Sequence, residues 1–120
     1  MTPETRTAIA YIAGSLISGR RTSLAFDYSR SKYVNFSGNI QPGHVQVFDY
    51  ELGCYISGSG SPSSLNLFEY GRGSHILLNI TGQQFTGFDY GTGTHFSGTA
   101  LGNNVNLYDY GQSRYFQYSV

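Results

Sequence analysis

The sequence is poor in charge and in cysteine, and both shortages limit what the protein does. Only 12% of its 120 residues are charged, and seven Lys or Arg balance seven Asp or Glu. Nucleic acids and anionic membranes are bound through a positive field, so this balance argues against either as a partner. Cys54 is the single cysteine, so no disulfide can form within the chain, which fits a reducing compartment.

The N-terminus lacks the features of a secretory signal. No basic segment precedes its apolar stretch, which is interrupted by Gly14, Ser15 and Ser18 and is too short to cross a bilayer. We therefore expect a soluble, cytoplasmic protein. At this length we also expect one domain that folds without metal or disulfide.

Residues 1–21 are predicted to form an amphipathic helix. Thr2 suits the N-cap, Pro3 the first helical position, and Gly19 with Arg20 and Arg21 the C-terminal end. A helix that lies on a membrane would carry cations along its polar face, whereas these lie at its end. The apolar residues recur at the spacing of one helix face, at Ile9, Ile12, Ala13, Leu16 and Ile17.

Residues 22–120 are a tandem array of five units of roughly 20 residues, each predicted to form a β-hairpin. Each unit contains an aromatic-acid-Tyr triplet, at 26–28, 48–50, 68–70, 88–90 and 108–110. Five residues after each triplet's Tyr comes a second ring followed by an apolar residue, in the pairs Tyr33-Val34, Tyr55-Ile56, His75-Ile76, His95-Phe96 and Tyr115-Phe116. Together these residues form a mostly β domain after the helix.

The acid of each triplet is predicted to hold the turn between the two strands. Four residues separate the strands, and Gly53, Gly73 and Gly93 supply a position that permits positive φ. A carboxylate just before such a turn can accept its free N–H groups. The five acids are Asp27, Asp49, Glu69, Asp89 and Asp109.

Alternation along the first strand of a unit predicts two different faces. Leu65 and Leu67 lie on an aliphatic face, and Asn66, Phe68 and Tyr70 on an aromatic and amide-rich face. Two topologies fit this pattern: an antiparallel meander, as a twisted sheet or barrel, and a two-sided parallel β-solenoid capped by the helix. A solenoid would stack five carboxylates about 4.8 Å apart, which favours the meander. The Pro42-Gly43 turn, in contrast, is typical of a solenoid corner.

No residue pattern predicts an active site, a metal site or a cofactor. The fragment Ser57-Gly58-Ser59-Gly60 does not stand in the frame of a nucleophile elbow, and Gly91-Thr92-Gly93 lacks the lysine of a phosphate loop. Five acids in equivalent positions do not supply the two different carboxylates of a glycosidase. In a meander, His75 and His95 would lie about 10 Å apart, too far to share a zinc ion.

The aromatic face is the predicted binding surface. Such rings can anchor a protein partner, stack on a small molecule or glycan, or stabilise the sheet itself. We expect a non-enzymatic structural or protein-interaction protein that self-associates, and the alternative is a small-molecule or glycan-binding module. The candidate surface consists of Tyr50, Tyr55, Tyr70, His75, Tyr90, His95, Tyr110 and Tyr115.

Self-association, as a homodimer, is predicted from an area argument. A helix about 25 Å long and 10 Å wide covers little of an open sheet whose ten strands span about 48 Å. The exposed aliphatic face would need closure of the sheet or a second copy to cover it. The segment from Arg114 to Val120 would also offer an unpaired edge.

Overall fold

The computed structural model describes residues 1–20 and 22–120, which form one helix followed by ten strands. The bounds are α1 (Pro3–Ser18), β1 (Leu24–Asp27), β2 (Lys32–Gln41), β3 (His44–Asp49), β4 (Cys54–Ser61), β5 (Ser64–Glu69), β6 (Ser74–Thr81), β7 (Gln84–Asp89), β8 (Thr94–Leu101), β9 (Asn104–Asp109) and β10 (Arg114–Ser119). The prediction of a mostly β chain with one N-terminal helix is confirmed.

The ten strands form an antiparallel meander that closes into a barrel. Each strand pairs with its neighbours in sequence, and β1 pairs with β10 to close the ring. The meander prediction is confirmed, and these strands do not form the parallel solenoid. The predicted free edge at Arg114–Val120 is wrong, because β10 pairs with β1 through Phe26 opposite Ser119 and Asp27 opposite Tyr118.

The aliphatic face predicted from the alternation lines the inside of the barrel. Leu65 and Leu67 on β5 are buried, whereas Asn66 and Tyr70 between and after them are exposed. The same inside-outside alternation appears on β3, β7 and β9. The core therefore lies within the barrel rather than between two layers.

Helix α1 fills the barrel, and the prediction that it buries one face only is wrong. Every residue from Thr5 to Ser15 is buried, and α1 contacts strands on different sides of the barrel, including β2, β6 and β9. Eight strands enclose just enough space for side chains, so ten leave room for a slim helix. Its small residues make it slim: a Cβ on Gly14 would lie 2.6 Å from a methyl carbon of Val120.

The helix begins and ends as predicted from the sequence. The hydroxyl of Thr2 accepts the Thr5 N–H at 3.2 Å, and Gly19, at φ 69°, donates its N–H to the Ser15 carbonyl at 3.0 Å. Arg21, which we also placed at the helix end, lies outside the described residues. Within residues 1–20 and 22–120, no helix has the length and apolar character needed to traverse a membrane.

Closure changes the argument for a second copy of the chain. The barrel wall and α1 together bury the aliphatic face that an open sheet would have exposed. The inner face therefore no longer predicts a homodimer, because its described apolar residues are buried in the core or packed against it within one chain.

Candidate ligand-binding grooves on the barrel wall

Each of the five strand pairs, from β1–β2 to β9–β10, carries three rings on its outer face, which we call a ring triad. In the β5–β6 triad, Phe68 is flanked by Tyr70, which directly follows its strand, and by His75 on the next strand. Across the five triads the flanking rings meet the central ring edge to face, with centroids 4.6–5.0 Å apart and interplanar angles of 62–78°. The flanking tyrosines are nonetheless 49–65% exposed. The triads hold the rings in place and still present them to solvent.

A groove separates one triad from the next, and three of these grooves are walled by a ring on each side. The N–H groups of Tyr70, Tyr90 and Tyr110 donate to the carbonyls of the residues across the strand boundary, at 3.0–3.2 Å. These carbonyls belong to Tyr55, His75 and His95. We call the three sites the ring-walled grooves, 55/70, 75/90 and 95/110.

The floors of the ring-walled grooves combine apolar and hydrogen-bonding groups. In groove 75/90, Leu77 follows His75 on β6 and Asn66 pairs with Leu77 from the neighbouring β5, and both line an open cavity of about 370 Å³. Thr86 and Ser97 hold the same positions in groove 95/110 and line a cavity of about 420 Å³. Gln46 and Ser57 are the equivalent pair in groove 55/70.

The floor side chains have hydrogen-bonding capacity to spare. Gln46, Asn66 and Thr86 are exposed and make no side-chain hydrogen bond to another described residue. In groove 95/110 the Ser97 hydroxyl lies 3.5 Å from that of Tyr110. Neither cavity, of groove 75/90 or of groove 95/110, has a Lys, Arg, Asp or Glu in its lining. The grooves are therefore aromatic, free of these four charged residue types and supplied with unused donors and acceptors.

The remaining two grooves have an amide where the others have a ring. The N–H of Tyr50 donates to the carbonyl of Asn35, and that of Tyr28 to the carbonyl of Gln117. We call these the amide-walled grooves, 35/50 and 117/28. Groove 117/28 lies at the seam of the barrel, where Tyr28, Asn106 and Gln117 line a cavity of about 620 Å³.

A difference in register explains the two kinds of groove. In the ring-walled grooves, the residue opposite the triplet acid directly follows the exposed ring, as Phe96 follows His95 and lies opposite Asp109. At the amide-walled grooves it comes three residues after the ring: Tyr118 lies opposite Asp27. Strand β2, with ten residues, is two longer than β4, which accommodates the same shift beside β3.

The structure divides the eight predicted surface residues into two groups. All eight lie on the outer wall and are exposed. Six wall the ring-walled grooves, whereas the register shift leaves Tyr50 beside Asn35 and leaves Tyr115 away from the seam groove. The sequence prediction omitted Tyr28 and Tyr33, although both occupy the repeat positions of the residues that it included.

The five triplet acids face inward, and four of them hold turns as predicted. One oxygen each of Asp27, Asp49, Asp89 and Asp109 accepts the N–H two residues later, at 2.8–2.9 Å. Glu69 instead accepts from the side chains of Arg72 and Thr5. The contacts of these carboxylates with the helix were not predicted from the sequence, because α1 was not expected inside the barrel.

The carboxylates surround the N-terminal end of α1, which carries the positive end of the helix dipole. Thr7 donates to Asp27 at 3.2 Å, and Arg6 donates to Asp109 at 3.1 Å. Side chains from the turns complete the pairing: Arg30 contacts Asp27, and Arg72 contacts Glu69 and Asp89. Burial would raise the pKa of Asp27, but hydrogen bonds from Arg30 and Ser29 and the charge of Arg30 hold it below its usual value.

Asp49 is the exception within this cluster. It is fully buried, no cation contacts it among the described residues, and its Oδ2 has no hydrogen-bond partner there. Burial, with a smaller contribution from the nearby charges of Glu51 and Glu69, raises the pKa of Asp49 to about 6, against the effect of the N–H bonds from Leu52 and Glu51. The uncompensated charge of Asp49 makes it the weak point of the cluster.

The two histidines of the predicted surface lie in different grooves. His75 packs against Phe68 and His95 against Phe88, on strands β6 and β8. In the part of the chain that the structure describes, no group of three or more His, Cys, Asp or Glu is arranged to hold a metal ion.

The carboxylates and the grooves recur from one strand pair to the next, but the carboxylates are buried and the grooves are open to solvent. A ligand from solution therefore meets the grooves first.

Neither a family model, nor a curated protein, nor a solved structure matches this chain.

Proposed function

We propose that the protein is a non-enzymatic glycan-binding module whose ring-walled grooves each bind one neutral sugar unit. The supporting observation is the repeated groove itself, with an exposed ring on either side and unpaired amide or hydroxyl groups on the floor. A sugar ring presents apolar C–H faces and a rim of hydroxyls. It therefore needs both kinds of group, and these grooves supply both.

The lack of charge in the grooves favours this ligand class. A nucleic acid or phosphorylated ligand would require Lys or Arg between the rings, and an amine would require carboxylates. The carboxylates of the triplets point into the barrel instead, and Arg30 and Arg72, which lie in the turns, pair with them. A neutral polyhydroxyl compound matches the groups that remain.

The ring triads support binding energetically. Each flanking ring already packs against a central ring, such as Tyr90 and His95 against Phe88. Little rotamer freedom is then left to lose when a ligand arrives, so more of the contact energy appears as affinity. The rigidity of the closed barrel wall contributes in the same way.

A protein partner is the second candidate, and one observation favours it: exposed tyrosines continue all the way round the barrel, including Tyr28, Tyr33 and Tyr115 outside the ring-walled grooves. Tyrosine is enriched at protein interfaces, and large exposed aromatic surfaces attract partners. Self-association through this surface remains part of this second proposal, although the inner face no longer argues for it.

Glycan-array binding of the purified protein tests the proposal. We expect retention on neutral sugars and about a tenfold loss of affinity when Tyr70, Tyr90 and Tyr110 are all replaced by Ala. Replacing Tyr28, Tyr50 and Tyr115 by Ala is the matched control, because it removes the same number of exposed rings outside the ring-walled grooves. Equal loss in both variants, or no glycan retained, would contradict the proposal. Self-association abolished by the first variant would favour the protein partner.

A further inference from the structure

The ring-walled grooves face different directions, and this limits how one ligand can occupy them. They lie at the β4–β5, β6–β7 and β8–β9 boundaries, which follow one another round the wall. In a closed barrel of ten strands, successive strand pairs point about 72° apart, so the two outer grooves diverge by roughly 144°. No flat surface touches both outer grooves, and an extended chain would have to bend sharply to follow all three.

The barrel wall cannot flatten to bring these grooves together. All ten strands are paired with both neighbours, and the buried helix fills the space inside. Changing the angle between two grooves would require strands to separate and core contacts with α1 to break. The directions of the grooves are therefore a fixed property of the fold.

The three grooves are also alike in construction, which the other two are not. Grooves 55/70, 75/90 and 95/110 share register, wall and floor positions, whereas grooves 35/50 and 117/28 replace one wall ring by Asn35 or Gln117. A ligand that stacks between two rings finds three sites of the same geometry on each chain, although their side chains differ.

We infer that the protein cross-links neutral glycans as a trivalent binder, each ring-walled groove holding a sugar from a different chain or branch. This inference rests on the proposed function. It adds that one protein molecule binds three sugars and that it thereby joins separate glycans. Rigid sites that diverge by this much join separate glycan-bearing molecules or surfaces instead of gripping one. A single chain of about 29 × 29 × 28 Å would thus bridge two surfaces without forming an oligomer.

The test separates binding from cross-linking. Methyl glycosides of glucose, mannose, galactose and N-acetylglucosamine are titrated calorimetrically, and turbidity is followed with dextran, mannan, galactomannan and glycol chitin, a soluble N-acetylglucosamine polymer. The intact protein is expected to bind about three equivalents of the preferred glycoside and to precipitate the polymer that carries the same sugar. The variant Tyr70→Ala with Tyr90→Ala retains groove 95/110 alone, so it is expected to bind about one equivalent at unchanged affinity and to precipitate nothing.

Gln46→Lys with Asn66→Lys provides a second way to close the same two grooves, at exposed floor positions, in case the ring variant folds poorly. A stoichiometry of one or five for the intact protein would overturn the trivalent assignment. Binding without turbidity, or turbidity that persists in a one-groove variant, would overturn cross-linking and leave glycan binding in place. No binding of any of the four glycosides would overturn the proposed function as well.

Discussion

We expect the replacement of Asp49 by Asn to change the stability of the barrel in a pH-dependent way. The free energy of unfolding of the variant, relative to that of the unaltered protein, should be higher at neutral and alkaline pH than in acid. The Asp49 carboxylate is fully buried without a cation, and its pKa is raised from 3.8 to about 6, first by burial. Asn keeps the Oδ1 atom that accepts the N–H groups of Glu51 and Leu52, at 2.9 and 3.1 Å. The substitution therefore removes the charge and leaves the turn in place.

The magnitude follows from proton linkage. The pKa of Asp49 is higher in the folded than in the unfolded chain, so its ionisation lowers the free energy of unfolding. This loss of stability is complete above pH 6 and disappears as the pH falls towards 3.8. A shift of about two pKa units corresponds to roughly 3 kcal/mol at about 1.4 kcal/mol per unit. In the variant, the amide N–H₂ group takes the buried position of Asp49 Oδ2, which has no hydrogen-bond partner among the described residues. Burying this group costs the folded state about 1–3 kcal/mol at any pH. The pH-dependent part of the difference is therefore the quantity to measure.

Urea unfolding of both proteins at pH 8 and pH 4 measures it. The free energy of unfolding of Asp49→Asn minus that of the unaltered protein should be about 2–3 kcal/mol more positive at pH 8 than at pH 4. Asp27, whose pKa is lowered, loses stabilisation in acid in both proteins, so the subtraction removes its effect. Asp89→Asn is the matched control: this carboxylate contacts Arg72, so its loss should destabilise at pH 8. A difference for Asp49→Asn that is the same at both pH values would refute the reasoning.

Four further outcomes are expected. Asp89→Ala should lower the free energy of unfolding by about 1–3 kcal/mol, because it removes the bonds to Gly91 and Arg72; denaturant titration measures this, and no change would contradict a role in the turn. His75→Tyr with His95→Tyr should leave stability and metal content unchanged, since Tyr occupies the matching position in the other triads; stoichiometric zinc or nickel lost in the variant would show the opposite. Ser113→Gly should stabilise by about 0.5–1 kcal/mol, because Ser113 holds a φ of 56° that glycine adopts freely, and an unchanged melting temperature would argue against strain there. Sedimentation equilibrium at micromolar concentration should give a mass near 13.2 kDa, because closure buries the inner face, and a dimer mass would contradict this.

The features that the sequence predicted correctly depend on near neighbours. Alternation of apolar and polar residues placed Leu65 and Leu67 inside and Tyr70 outside, because successive side chains of any strand point to opposite faces. Thr2 and Gly19 marked the helix ends for equally local reasons. The turns were also predicted correctly: Gly53 adopts a φ of 68° at a position where the spacing predicted a residue that permits positive φ.

What the sequence did not determine depends on distant parts of the chain. Whether ten strands close, and so whether α1 lies on a sheet or inside a barrel, depends on twist and register summed over every strand pair. The accumulated twist and register also placed Tyr50 beside Asn35 and separated Tyr115 from Tyr28. From the repeat alone, these tyrosines were indistinguishable from those of the ring-walled grooves.

The five acids show the same division within one set of residues. Their position before a turn was visible in the sequence, because a carboxylate accepts N–H groups that lie two or three residues ahead. That Asp89 would find Arg72, and that Asp49 would find no cation among the described residues, depended on which side chains of α1 and of the neighbouring turns reach each point of the ring. Local pattern determined where each residue points, and only the closed barrel decided what it meets there.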